Sequence, residues 1–252
     1  MAIATTSLIF ACDNATEVAT YENKAYKPLE FVDSCGITVM DTVEYYSSCR
    51  EGADVMAKVN GLIVDLCYGD EFAGLSVPDA ARAASDGFVS DYLKFCEELA
   101  ATPAIPEDAV FPSMASLNYE YKCLGRFTTS YKDLRSYEAF RFSYTGGAHG
   151  NYGWTYLIFD TKTGDKVAVG DLFKENSEAG VTALIKEALA EVYGPADSDG
   201  VFYDGDAELF TPNVKVSEEG VTWCYNPYEI APYSSGALFA TVGWDALAPY
   251  LE

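Results

Sequence analysis

The segment Ser143-Tyr-Thr-Gly-Gly-Ala-His-Gly-Asn-Tyr-Gly-Trp154 constrains the fold more than any other part of the chain. It holds Gly146, Gly147, Gly150 and Gly153, four of the twenty glycines, together with the single histidine, His149. Before it runs Phe140-Arg141-Phe142-Ser143-Tyr144, and after it runs Trp154-Thr155-Tyr156-Leu157-Ile158-Phe159. Both runs carry aromatic residues at period two, the spacing of a strand. Two strands are therefore expected on either side of a glycine-rich connection. Paired glycines accept backbone angles that other residues resist, so the connection can turn sharply and bring its amides close to a ligand or a neighbouring strand.

The rest of the chain reads as a mixture of strands and helices. Residues 3–12 alternate weakly and predict a first strand, whereas Tyr21 to Phe31, with Pro28, reads as loop. Residues 35–48 are rich in β-formers. Val55, Val59, Leu62 and Leu66 then recur at helical spacing and predict a helix over 51–67. Ser76-Val77-Pro78-Asp79 supplies an N-cap, a first-turn proline and an acid for a second helix. Its apolar stripe is Ala81, Ala84, Phe88, Tyr92, Phe95 and Leu99. Strands are expected around Leu117–Cys123 and over 126–144. A turn at Asp160–Asp165 leads to a strand through Val167 and Val169. A third helix runs from about Ser177 to Tyr193, with Val181, Leu184, Ile185, Ala188 and Val192 facing inward and Gly194 ending it. A hairpin turning at Glu219-Gly220 and a strand at Leu238, Ala240 and Val242 complete the chain. This order predicts an α+β fold, with antiparallel or mixed sheets packed against about three helices. Prolines at 103, 106 and 112 divide it into halves at 1–110 and 111–252.

Composition narrows the function classes. A chain of 252 residues can bury a real core. Its net charge of −23 would repel phosphate backbones and anionic membranes, so nucleic acid is not an expected partner. A cationic partner would be steered in. No apolar run reaches the ~18 residues of a membrane span. Residues 1–12 lack the basic start of an export signal, and Cys12 is a poor lipoprotein site. Seven cysteines include no Cys-x-x-Cys pair, and one histidine cannot complete a common Cys/His zinc site, so no metal or cofactor is expected. Cys67, Cys96 and Cys123 lie on apolar faces and are read as buried thiols. Cys35 and Cys49, which bracket one strand-like segment, are the expected bridge.

Motifs for chemistry are sparse. His149 is the one candidate for a general base of the histidine type, with Ser143 near it in sequence, but no Gly-x-Ser-x-Gly elbow is present. The acidic run from Asp197 to Glu208 misses the EF-hand spacing and reads as a solvated loop. Nothing matches the phosphate-cradling Gly-x-x-x-x-Gly-Lys-Ser/Thr pattern. Tyr144, Tyr152, Trp154 and Tyr156 can supply a stacking platform for a sugar or anchors for a protein, or can simply fill a core.

Three fragments occur together and in order: Tyr144-Thr-Gly-Gly-Ala-His-Gly-Asn151; Phe159-Asp-Thr-Lys-Thr-Gly164 leading to Val169-Gly-Asp-Leu-Phe173; and Asn226-Pro-Tyr-Glu-Ile-Ala-Pro-Tyr233. Through them residues 115–252 resemble the extracytoplasmic domain of unknown function found in the RsiV-like, lysozyme-binding anti-sigma factors. Similar domains accompany a peptidoglycan deacetylase and occur in bacterial lipoproteins and secreted proteins. The resemblance implies an exported envelope protein without established catalytic residues, and a ligand that is lysozyme, another cationic protein, or peptidoglycan. The expected binding residues are Tyr144, Gly146, Gly147, His149, Asn151, Tyr152, Trp154, Tyr228 and Glu229. Two other readings stand beside this one: an envelope glycan hydrolase or transferase using His149, and a purely structural domain of an envelope lipoprotein.

Overall fold

The structure is a computed structural model and describes residues 14–27, 35–101, 117–194 and 208–252. The expected strand at 3–12, Cys12, Pro28, the boundary prolines and residues 197–207 of the acidic run lie outside the described residues.

The architecture is mixed α+β. Five strands form one sheet in chain order: β1 (Ala15–Tyr26), β2 (Gly36–Ser48), β3 (Asn118–Tyr131), β4 (Leu134–Tyr144) and β5 (Asn151–Asp160). Every neighbouring pair is antiparallel except β2 and β3, which run parallel. A parallel pair needs a crossover. Helices α1 (Ala53–Tyr68) and α2 (Val77–Ala101) supply it and cover one face of the sheet. The strands on the two sides of residue 110 thus share one sheet. The start of α2 follows the sequence: Ser76 Oγ accepts the Asp79 amide at 3.3 Å and donates to the Asp79 carboxylate at 2.6 Å.

A second sheet contains β6 (Val214–Val216), β7 (Gly220–Tyr225) and β8 (Leu238–Gly243), all antiparallel. Helix α3 (Glu178–Tyr193) packs on β8, and a short helix α4 (Trp244–Leu247) follows it. Val181, Ile185 and Leu189 of α3 are fully buried against Trp223, Ala240 and Leu247, each side chain contributing roughly 1.5–3 kcal/mol by leaving water. The larger sheet has its own core against α1, with Val43, Tyr46, Val59, Ile63, Tyr137 and Phe159 at its centre. The two sheets meet where Ser136 Oγ of β4 accepts the Val216 amide at 2.9 Å.

Several expectations need correction. Ala15–Tyr26 is a strand, not loop through Tyr21 onward. It is an edge strand with only Ala19 buried, so Glu17, Glu22 and Lys24 mask the alternation, and pairing with β2 decides its conformation. Val167 and Val169 do not resume a strand: a single bridge joins Phe159 to Lys166, and Val169–Leu172 is a turn of 3-10 helix. In α1 the fully buried stripe is Val59, Ile63, Val64 and Cys67, with Val55, Leu62 and Leu66 at its rim. Val192 of α3 is 66% exposed.

The Cys35–Cys49 bridge is also overturned. The thirteen residues of β2 separate the two, which at strand rise is roughly 40 Å, far beyond the ~6 Å Cα spacing of a disulfide. Cys35, Cys49, Cys67, Cys96, Cys123 and Cys224 are all free thiols. Cys67, Cys96 and Cys123 are buried, as their apolar positions indicate.

Candidate functional site

The glycine-rich connection is the hairpin between β4 and β5, and strand β5 begins within it at Asn151. Gly146 and Gly147 both take positive φ, 95° and 97°, which reverses the chain. Tyr144 closes the turn by donating its hydroxyl to the Gly147 carbonyl at 3.0 Å. His149 is exposed and donates Nδ1–H to the Gly150 carbonyl at 2.9 Å. Among the described residues no hydroxyl, thiol or carboxylate bonds to its ring. Ser143 lies on β4 opposite Asn151 and makes no contact with the imidazole that would activate it.

A second loop completes the face. The residues after β7, Asn226 to Tyr233, fold beside the hairpin. The Tyr233 ring stacks on His149 with centroids 4.0 Å apart, and its hydroxyl donates to the Gly150 carbonyl at 2.7 Å. Tyr152 and Tyr228 approach the same ring at 5.6 and 5.5 Å. From Tyr152 the aromatic contacts continue to Trp154 at 5.6 Å and from there to Phe140 at 4.9 Å. Phe140 and Trp154 are partners across β4 and β5, and Phe142 and Tyr152 are the next such pair. By period two these four point away from the face that α1 and α2 cover. Most members are half-buried, while Tyr228 is 63% exposed and has φ of 73°.

Asn226 holds the two loops together. Its Oδ1 accepts the Trp154 amide at 2.8 Å, and its Nδ2 donates to the Trp154 carbonyl at 3.0 Å. Asn213 does the same one step along: Oδ1 accepts the Tyr156 amide at 2.9 Å and Nδ2 donates to the Trp154 carbonyl at 3.0 Å. Two side-chain amides thereby satisfy the outer edge of β5 where a sixth strand would otherwise pair. Gly153 permits this, since a Cβ there would sit 3.0 Å from Asn226 Oδ1. Glu229 braces the loop, its carboxylate accepting the Asn226 amide at 2.8 Å.

The structure thus brings Tyr144, Gly146, Gly147, His149, Tyr152, Trp154, Tyr228 and Glu229 to one region, with Tyr144 and Glu229 acting as braces. Asn151 pairs with Ser143 and, together with Tyr152 and Asn226, borders a cleft of about 640 Å³ between the sheet and helices α1 and α2. Reasoning from sequence missed Tyr233 as the hub of the aromatic face and Asn226 as its clamp, although they close and open the third fragment. It also missed Asp41, at the floor of the cleft. Asp41 is only 4% exposed, and desolvation pushes its carboxyl up to about 7. The signal was present: Ile37, Val39, Asp41 and Val43 occupy alternate positions of β2, and one acid interrupts an apolar face.

Among the described residues, no group of three or more His, Cys, Asp or Glu is placed to hold a metal ion, and no helix is long and apolar enough to cross a membrane.

Comparison with known proteins adds the fold's relatives. The chain matches no curated protein. It is similar to the crystal structure of a DUF3298 family member from Bacteroides fragilis NCTC 9343, with a TM-score of 0.77 and 20% identity over 95% of this chain and 94% of that one. A DUF3298 family protein from Pseudomonas aeruginosa PAO1 has a TM-score of 0.63 and 16% identity over the same shares. At these identities the likeness concerns the fold. Residues 170–245, which span α3, the second sheet and the Asn226–Tyr233 loop, match the family model described as a protein of unknown function, DUF3298.

Proposed function

We propose that the protein is a non-catalytic binding domain of the bacterial cell envelope, related to the RsiV-like domains, and that it recognises a cationic, lysozyme-like protein or a peptidoglycan glycan. The observation that carries this reading is the aromatic face made by His149, Tyr233, Tyr228 and Tyr152, which two loops from two different sheets assemble beside an open strand face. Rings with one polar tip are the side chains that anchor protein interfaces and stack on sugars. The net charge of −23 favours a basic protein over an anionic polymer. The hydrogen bonding of His149 supports a shaping or contact role, because its Nδ1 proton is already given to the adjacent carbonyl.

The test is retention of the purified protein on immobilised lysozyme and on insoluble peptidoglycan, with Tyr228→Ala and Tyr233→Ala beside the wild type. Retention on one of the two is expected, with its loss in both variants while folding stays intact. Retention on neither, or equal retention of both variants, contradicts the proposal.

A further inference from the structure

The cleft on the helix-covered side of the large sheet borders the aromatic face at Tyr152 and Asn226 but does not include Tyr228, Tyr233 or His149. Its floor is one row of side chains. Asp41 of β2 is the register partner of Cys123 of β3, and Cys123 is the partner of Arg141 of β4. Partners across a sheet project to the same side, so Asp41 and Arg141 both point into the cleft, two strands or about 10 Å apart at the backbone. The roof carries Tyr68 of α1 and Phe88 of α2. Phe88 is 41% exposed and stacks on Tyr121 of β3, centroids 4.1 Å apart and planes 14° apart.

Two buried polar groups of this cleft lack partners among the described residues. Asp41 is almost wholly buried, yet among the described residues its Oδ2 has no hydrogen-bond partner and no lysine or arginine pairs with it. The Tyr68 hydroxyl is buried and equally unpartnered. A buried polar atom left without a partner costs about 1–3 kcal/mol, more when charged. Arg141 is exposed; among the described residues its side chain bonds Thr155 Oγ1 at 3.5 Å and pairs with no carboxylate. An unmatched acid at the inner end, an unmatched guanidinium at the outer end and an aromatic pair between α2 and β3 form a dipolar site, which Glu71, Asp91 and the Glu120-paired Lys122 also line. The volume of about 640 Å³ suits a small organic molecule.

We infer that this cleft binds a short zwitterionic peptide, its ammonium against Asp41 and the Tyr68 hydroxyl, its carboxylate on Arg141, and an apolar side chain against Phe88 and Tyr121. Each part answers an observation. A purely cationic amine would leave Arg141 opposed, and a purely anionic ligand would meet Asp41. An extended dipeptide spans about 7 Å, which the Asp41 and Arg141 side chains, reaching in from 10 Å, can bracket. Guanidinium and carboxylate match as a two-pronged pair.

Calorimetric titration with phenylalanylalanine tests this. Saturable one-to-one binding is expected. N-acetylation of the dipeptide removes its positive charge, and amidation of its carboxyl removes the negative one. Each change is expected to weaken binding about tenfold or more, the effect of losing one charge-assisted bond. Asp41→Asn should reproduce the loss on the ammonium side. Arg141→Met, a change at an exposed position that leaves folding intact, should reproduce it on the carboxylate side. Failure of phenylalanylalanine to bind, equal binding of the blocked forms, or unchanged binding by both variants overturns the assignment. Lysozyme or peptidoglycan retention is read through Tyr228 and Tyr233, which do not line the cleft, so the two tests fail independently.

Discussion

The imidazole of His149 lies flat on the phenol ring of Tyr233, centroids 4.0 Å apart and planes 23° apart, and both side chains donate to the same carbonyl, that of Gly150. The glycine-rich hairpin of one sheet is thereby fastened to a loop of the other. A stacked pair is worth about 0.5–1.5 kcal/mol beyond the area it buries. His149→Ala should therefore lower stability by about that amount, and Tyr233→Ala by more, since it also removes a hydrogen bond. Urea denaturation measures both. A Tyr233→Ala protein as stable as wild type would mean the two loops do not depend on this contact.

Asn226 and Asn213 replace a missing strand along β5. Asn226→Ala leaves the Trp154 amide without its acceptor in a half-buried setting, at a cost of about 1–3 kcal/mol. Asn226→Asp keeps the acceptor but sets a carboxylate against the Trp154 carbonyl, and should not rescue the loss. The same denaturation curves, together with hydrogen exchange at the Trp154 amide, check this. Exchange as slow in Asn226→Ala as in wild type contradicts the proposed edge pairing.

The carboxyl of Asp41 makes stability depend on pH in an unusual direction. Burial raises it from 3.8 to about 7, so between those values the folded protein holds a proton that the unfolded chain releases. The contribution of Asp41 is therefore full below about pH 4 and declines as pH rises to about 7. The gap corresponds to about 4 kcal/mol at most. Tyr68 from α1 and Cys123 from β3, which face the same carboxyl, are themselves raised and stay neutral throughout this window. Asp41→Asn should match wild type near pH 4 and exceed it near pH 8. Parallel pH profiles for the two proteins count against a buried acid.

The thiols offer a further check. Peptide mapping of the oxidised, unreduced protein should recover no Cys35–Cys49 cross-link, because β2 holds the two residues at its opposite ends. Among the described thiols, Cys49, the least buried, should alkylate first in the native state. Recovery of the Cys35–Cys49 peptide would require β2 to be broken.

Residues with a clean period announced their own structure. The hairpin flanking Gly146–Gly150, the capped start of α2 at Ser76, and α3 ending at Gly194 follow from local chemistry and are found where expected. What stayed hidden depends on partners distant in sequence. β1 is polar because it is an edge, and only its twelve-residue pairing with β2 makes it a strand. Tyr233 meets His149 across 84 positions of sequence, and no local pattern encodes that contact. Asp41 was legible in principle, as an acid on an apolar register, but the unpartnered Tyr68 and Arg141 around it emerge only when β2, β4 and α1 converge.

Calorimetric titration of c-type lysozyme into the wild-type protein and Tyr233→Ala, at about 50 and about 300 mM salt, probes the aromatic face as a binding site. Screening at the higher salt removes most of the attraction between separated surface charges. A shaped aromatic site that takes a protein ligand gives saturable one-to-one binding that persists at high salt and is lost in Tyr233→Ala. Binding that disappears at high salt, or that Tyr233→Ala retains, would show charge attraction without a shaped site and contradict the proposal.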